Sequence, residues 1–244
     1  MSTDFRIVIP ARYASTRLPG KPLRMLCGKP MIEWVCLAAA ESSAVDVVVA
    51  TDDQRIVDVV NGFGGQVCIT HSHHPTGTDR ILEVVQKLGW GDDYIIVNLQ
   101  GDEPLMPASN MTQVAHNLLS SNCDMATLHK RVSEDQAQDP NLVKLVHDHR
   151  GRALYFSRSA IPFNRRRQAQ EYFGHIGIYA YRVDFIKAFS RIAPCELEAT
   201  ESLEQLRALW NGYSIHSEIA SAMPGPGVDT EEDLLRVEAM LAQS

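Results

Sequence analysis

The stretch "FRIVIPARYASTRLPGKPL" (residues 5–23) opens with a six-residue β-rich apolar run and passes directly into a loop that holds Arg12, Arg17 and Lys21 with no acid. Pro19 and Pro22 stiffen that loop. The residues downstream decide whether the run is the first strand of an α/β sheet. Helical "PMIEWVCLAAAESS", apolar "VDVVVA", helical "QRIVDVVNGF", apolar "QVCIT", helical "DRILEVVQKL" and apolar "YIIVNLQ" alternate in order. Strands of four to seven residues separated by helices predict a mostly parallel, doubly wound sheet. Local signals agree: Pro30 suits a first helical position, Asp52 or Asp53 suits a cap of the second helix, and "GFGG" (residues 62–65) stops it. In an open sheet of this kind ligands sit beyond the carboxyl ends of the strands, which is where loop 11–23 emerges.

After "MATLHKRV" the pattern loosens. "LVKLVHD", "ALYFSR" and "HIGIYAYR" read as strands with fewer helices between them, and "HDHRGRA" as a turn. The chain is therefore expected to be a single domain, residues 1–244, with a smaller and partly antiparallel lobe around residues 125–200. Helix "ATESLEQLRALWNG", strand "SIHSEIA" and a last helix in "DTEEDLLRVEAML" complete it.

At 244 residues and 45% hydrophobic, the chain can bury a substantial core. Thirty acids against 23 bases, a formal net charge of −7, argue against a nucleic-acid surface while leaving room for a local basic patch such as loop 11–23. No apolar run nears the roughly 20 residues that span a bilayer, and the N-terminus lacks a signal-peptide layout, so no membrane partner and a cytoplasmic location are expected. Cys27, Cys36, Cys68, Cys123 and Cys195 are scattered and never form C-x-x-C, which favours free thiols over a disulfide or zinc framework.

The basic loop is neither a dinucleotide fingerprint nor a P-loop. It has no G-x-G-x-x-G, Ser15 stands where the first P-loop glycine belongs, and Pro22 follows Lys21 where Ser or Thr should be. Three mutually repelling cations on a stiff loop make most sense beside a polyanion, although three basic residues alone also describe a solvated surface. In "IIVNLQGDEPLM" a strand ends in Asn98, Gln100, Gly101, Asp102 and Glu103. Acids there can hold Mg²⁺ against phosphate oxygens, or Asp102 can merely begin the turn toward the helix after Pro107. Asp229, in "GPGVDTEEDLL", reads by itself as a helix cap. The "HSHH" cluster (residues 71–74) lacks helical ligand spacing and reads as loop surface.

"IPARYASTRLPGKPL", "ATDD", "GTDR", "VNLQGDEP", "ALYFSRSAIPF", "HIGIYAYR", "LEQLRALW" and "GVDTEEDL" resemble, in order and across nearly the whole chain, the 3-deoxy-manno-octulosonate (Kdo) cytidylyltransferases. The first and the seventh of these stretches separate that family from the CMP-sialic acid synthetases. The resemblance implies a nucleotide-diphospho-sugar transferase-like sheet with a smaller lobe that makes a homodimer contact. It also implies the reaction of CTP with Kdo to give CMP-Kdo and pyrophosphate, with Mg²⁺, for lipopolysaccharide synthesis. By resemblance Arg12 and Lys21 bind the triphosphate, Lys21 supports the departing pyrophosphate, and Arg17 serves phosphate or acceptor. Asp102 and Asp229 would meet at one Mg²⁺, so that Lys21, Asp102 and Asp229 form the catalytic set, and metal binding is preferred over capping for Asp229. Gly77, Thr78 and Arg80 are possible nucleotide contacts. The acceptor pattern maps onto Gln100, His175, Tyr179, Glu204 and Gln205, with Arg158 a candidate for the sugar carboxylate. For Glu204 and Arg207 a plain i,i+3 pair is the alternative. The segment 164–173 is compact for the family.

Two readings from other classes compete. A Rossmann-type oxidoreductase on a similar sheet is disfavoured by the missing glycine fingerprint. A non-catalytic nucleotide sensor would be expected to have lost its acids, yet both Asp102 and Asp229 are present.

Overall fold

The computed structural model describes residues 4–14, 17–166 and 168–243. In chain order the elements are β1 (Phe5–Pro10), a 3-10 turn (Lys21–Leu23), β2 (Met25–Leu26), β3 (Lys29–Pro30), α1 (Met31–Ala40), β4 (Asp46–Thr51), α2 (Gln54–Gly62), β5 (Gln66–Ile69), α3 (Gly77–Leu88) and β6 (Ile95–Asn98). They continue with α4 (Ala108–Ser121), β7 (Met125–Val132), α5 (Glu134–Ala137), β8 (Lys144–His147), β9 (Ala153–Ser157), β10 (Tyr172–Arg182), α6 (Val183–Phe189), α7 (Glu196–Glu201), α8 (Gln205–Trp210), β11 (Ile215–Ile219) and α9 (Glu231–Leu241). The main sheet runs β11-β7-β10-β6-β1-β4-β5, and the β8–β9 hairpin joins it through β10. β5, β4, β1 and β6 are parallel, β10 runs antiparallel to both β6 and β7, and β11 is parallel to β7. The antiparallel character expected after residue 125 is thus confined to β10 and the hairpin, and those strands belong to the same sheet as the parallel strands of the N-terminal half.

Alternation along β1 sorts the side chains into two cores. Ile7 and Ile9 face one side with Ile32 and Val35 of α1, Ile56 and Val60 of α2, and Met111 and Val114 of α4. Val8 faces the other with Ile81 and Val84 of α3, Ile186 and Phe189 of α6, and Leu206 of α8. Helices therefore cover both faces, as a buried parallel sheet requires. Because the chain goes from β1 outward to β4 and β5 and then returns to place β6 on the opposite flank, the strand order reverses between β1 and β6. A crevice opens at the carboxyl ends there.

Local signals act much as the sequence predicts: of the two candidate caps of α2 Asp53 takes the role, accepting from Arg55 N–H, while Asp52 faces elsewhere. Two elements differ. Pro30 occupies the N-cap of α1 rather than its first turn. The single helix expected over 199–212 is two, α7 and α8, broken where Ser202 takes a left-handed backbone (φ 53°). β10 carries an irregularity at Gly177–Ile178: Ile176 pairs with Leu128 and Tyr179 with Thr127, and from Tyr179 onward the strand also pairs with β6 at Asn98. That shift aligns Tyr179 with the end of β6.

Candidate active site

A third, smaller core explains how the basic loop is seated. Leu18 from the loop and Leu26 and Met31 beyond it pack against Val228, Leu234 and Val237 of the C-terminal segment and α9. Gly20 takes a left-handed backbone (φ 65°) and begins the turn that presents Lys21. The C-terminal segment in turn is tied to the loop after β6, since Val228 N–H donates to the Asp102 carbonyl at 2.9 Å. Two residues 127 positions apart in sequence, Asp102 and Asp229, are thereby brought face to face. Lys21 Nζ lies between them, 2.6 Å from Asp102 Oδ2 and 2.9 Å from Asp229 Oδ1. Arg17 Nη2 is 3.0 Å from the same Asp229 oxygen.

The cap of α9 is Thr230, whose hydroxyl accepts from Asp233 N–H in a capping box. Asp229 is released from that duty and points into the crevice. Burial opposes the charge on Lys21, but Asp102 and Asp229 more than offset it and hold the ammonium above its ordinary pKa. Next to them, burial and the neighbouring Asp102 push Glu103 up to about 8, so its carboxyl is largely protonated at neutral pH. Gly101 has no room for a side chain, because a Cβ there would stand 2.9 Å from the Pro10 carbonyl oxygen. The loops after β1 and β6 consequently close on each other. Arg12, Arg17, Lys21, Gly77, Gln100, Gly101, Asp102 and Asp229 line a cavity of about 370 Å³ at this point.

A second cavity of about 150 Å³ adjoins it, sharing Gly77 and Gln100. Thr78, Asn98, Tyr179, Tyr181, Glu204 and Gln205 supply its polar lining, with Met125, Phe185 and Phe189 as apolar walls. Thr78 Oγ1 donates to Glu204 Oε2 at 2.8 Å. Burial raises the pKa of Glu204 in spite of that bond. Three buried polar atoms of these residues, Tyr181 hydroxyl, Glu204 Oε1 and Gln205 Nε2, have no hydrogen-bond partner among the described residues. Such groups cost free energy in an empty site and are recovered when a polar ligand pairs with them.

Residues 6–218 match the family model described as Cytidylyltransferase. The 3-deoxy-manno-octulosonate cytidylyltransferase of Vibrio vulnificus (strain CMCP6) is 52% identical over 98% of both chains. That of Yersinia enterocolitica serotype O:8 / biotype 1B is 51% identical over 98% of both. The solved structure of CMP:2-keto-3-deoxy-manno-octonic acid synthetase complexed with CTP matches with a TM-score of 0.93 and 43% identity, over 98% of this chain and 99% of that one. The chain belongs to the 3-deoxy-manno-octulosonate cytidylyltransferase family. A cytidylyltransferase from Leptospira borgpetersenii serovar Hardjo-bovis, 16% identical with a TM-score of 0.66, shares the fold alone.

Of the residues that the resemblance to this family singles out, the first cavity gathers Arg12, Arg17, Lys21, Gly77, Gln100, Asp102 and Asp229. The second gathers Thr78, Tyr179, Glu204 and Gln205. Three others are placed elsewhere. Arg80 is fully buried on α3, 2.8 Å from Asp52 and 2.5 Å from Thr70 Oγ1, and lines neither cavity. Arg158 lies in the lobe, donating to the Glu201 and Pro140 carbonyls, and lines a separate depression with Phe163 and Tyr172, not the second cavity. His175 stands beside Tyr179, ring centroids 5.4 Å apart, without lining the cavity itself. Thr127 hydroxyl donates to the Ile178 carbonyl and so accepts from His175 Nε2–H at 2.9 Å, leaving Nδ1 as the acceptor. Burial lowers the His175 pKa to about 3, so the ring is neutral.

Arg207 is buried against Glu198, with Nε 2.7 Å from Oε2, and the i,i+3 pair with Glu204 also forms, at 3.8 Å, with its arginine end buried and not on the surface. The HSHH loop forms no metal cluster among the described residues. Tyr181, Phe185 and Phe189 also line the second cavity and are not singled out by sequence, whereas Asn98 stands at the polar strand end that the sequence does mark. Tyr181 sits on a strand that reads as ordinary core, and α6 carries no motif.

Proposed function

We propose that this enzyme transfers CMP from CTP to the anomeric hydroxyl of Kdo, releasing pyrophosphate, for lipopolysaccharide synthesis. The observation that carries the reading is the pair of adjoining cavities: one end holds three cations and two carboxylates, the other holds buried polar atoms without hydrogen-bond partners among the described residues, and Gly77 and Gln100 join them. A nucleoside triphosphate suits the first end and a polyol the second. Lys21, Arg12 and Arg17 neutralise the triphosphate, and Lys21 follows the charge onto the departing pyrophosphate. The N-terminus of α3 at Gly77 adds a positive dipole end between the two halves. In the acceptor half Gln205 and Tyr181 donate to sugar oxygens and Glu204 Oε1 accepts from a sugar hydroxyl, while His175 backs the ring of Tyr179. The bond formed joins the anomeric oxygen to the α-phosphorus as the bond to the pyrophosphate oxygen breaks, the hydroxyl proton is released to solvent, and no protein nucleophile intervenes.

The donor set fits Mg²⁺. Two carboxylates already share one cation, the ammonium of Lys21, and Mg²⁺ is commonly held by one or two carboxylates with phosphate oxygens and water filling the rest. Asp102 and Asp229 would hold it. When bound it supplies charge neutralisation at the α-phosphate and acidifies the anomeric hydroxyl. We further propose a cytoplasmic homodimer formed through the lobe, supported by Leu154 and Phe163 left exposed there; light scattering that gave a monomer at micromolar concentration would count against it. No helix of the described residues is long and apolar enough to cross a membrane.

The test is pyrophosphate release with CTP, Mg²⁺ and either Kdo or its 8-amino analogue, the two run side by side. Turnover that requires a 3-deoxy-ulosonic acid and is abolished by chelation supports the reading. Tight CTP binding with no turnover on either acceptor would refute it.

A further inference from the structure

The loop between β5 and α3 does not touch the carboxylate pair, yet its backbone orients a residue that does line that cavity. Arg12 Nη2 donates to the His74 carbonyl and lies 3.5 Å from the Thr76 carbonyl. Both contacts are made by Nη2, and among the described residues the other guanidinium donors have no hydrogen-bond partner, which leaves them for the cavity. Carbonyls on a loop can orient a cation only if the loop is itself held, and Glu83 on α3 holds it. Its Oε2 accepts the His71 backbone N–H at 2.8 Å and pairs with His74 Nε2 at 2.5 Å, while Oε1 meets Lys87 Nζ at 2.8 Å. One carboxylate thus secures both ends of the segment 71–74. The carboxylate is 10% exposed; burial works against its charge, but His74, Lys87 and the His71 N–H overcome this and lower its pKa to about 2. Its mount is rigid, since one turn earlier Arg80 fastens α3 to Asp52 and Thr70 at the ends of β4 and β5.

We infer that Glu83 is a positioning residue for nucleotide binding: through His71 and His74 it fixes the loop carbonyls that hold Arg12 ready for the triphosphate. The inference rests on the reading of Arg12 as a phosphate ligand. Without Glu83 the segment relaxes toward solvent, and the free arginine regains rotamers that CTP must then freeze out. The loss falls on CTP binding, not on the acceptor.

The test is a double-mutant cycle read as CTP dissociation constants by calorimetry, with Mg²⁺ present and no acceptor. Wild type, Glu83→Gln, Arg12→Ala and the double variant are compared, and melting temperatures are recorded alongside. Glu83→Gln should weaken CTP about tenfold in the wild-type background and hardly at all once Arg12 is alanine, with the Kdo KM unchanged. Equal weakening in both backgrounds, or none in either, would overturn the inference. If Arg12→Ala alone leaves CTP affinity intact, the phosphate reading of Arg12 fails, and the role given to Glu83 fails with it. Should Glu83→Gln not fold, His74→Ala serves in its place, since it keeps the carboxylate and its bond to the His71 N–H. A smaller loss that again depends on Arg12 is then expected, and a loss independent of Arg12 would refute the assignment.

Discussion

Arg80 offers the sharpest separation of a nucleotide contact from a structural one. Its guanidinium is fully buried, held by Asp52 at 2.8 Å and Thr70 at 2.5 Å, and its pKa is lowered by burial in spite of Asp52. Arg80→Met keeps most of the volume and removes the charge. Deleting one partner of a buried ion pair typically costs about 3–5 kcal/mol, because the remaining charge is stranded. Here the low end applies, since the Asp52 side chain is 24% exposed and water can take over part of its solvation. With about 2–4 °C of melting temperature per kcal/mol in a domain of this size, a cost of about 3 kcal/mol lowers the melting temperature by roughly 6–12 °C. The assay is calorimetric melting without ligand, followed by CTP titration well below the transition, where affinity should change little. A melting temperature unchanged from wild type, together with CTP affinity down tenfold or more, would return Arg80 to the nucleotide site and refute the argument from burial.

Asp229→Asn should leave the melting temperature nearly unchanged, because Thr230 supplies the cap of α9, while kcat falls on the order of a hundredfold with partial rescue by raised Mg²⁺ or by Mn²⁺. The companion Thr230→Ala should cost about 1 kcal/mol of stability with kcat near normal; the opposite pattern would return Asp229 to the cap. His175→Ala and Gln205→Ala should mainly raise the KM for Kdo and leave CTP affinity alone, and a rise in CTP dissociation constant instead would contradict the division between the two cavities. Glu103, with its folded pKa raised to about 8, should make wild-type stability fall as pH rises from about 4.5, where the unfolded carboxyl titrates, through 8. Glu103→Gln should flatten that slope in melting temperatures taken across the range, and an unaltered slope would disprove the assignment.

The sheet was legible because alternating short apolar runs and amphipathic stretches are local patterns, and a parallel sheet covered on both faces is nearly the only way to bury all of them. The basic loop and "NLQGDEP" were legible as ligand-facing for a related reason: both come directly after strands, and the carboxyl ends of strands are where such sheets bind. Helix ends chosen by a single side chain were less so. Asp52 and Asp53 look alike in sequence, and only the position of Arg80 beneath the sheet decides that Asp52 pairs with it while Asp53 caps α2. The same holds for Asp229, whose spacing alone reads as a helix cap and which only the family resemblance turns toward a metal; packing of Leu18 against Val228 and Leu234 swings the C-terminal segment over the basic loop and gives the cap to Thr230. Arg158 and Arg80 carried motif positions but were captured by Glu201 and Asp52, partners that no spacing rule reveals. The order of residues was enough to establish which backbone patterns form and which chemistries are present. Which charges meet was settled by folding, because electrostatic and hydrogen-bond partners act over a few ångströms between residues as far apart as Lys21 and Asp229, and only the packed core brings them within that range.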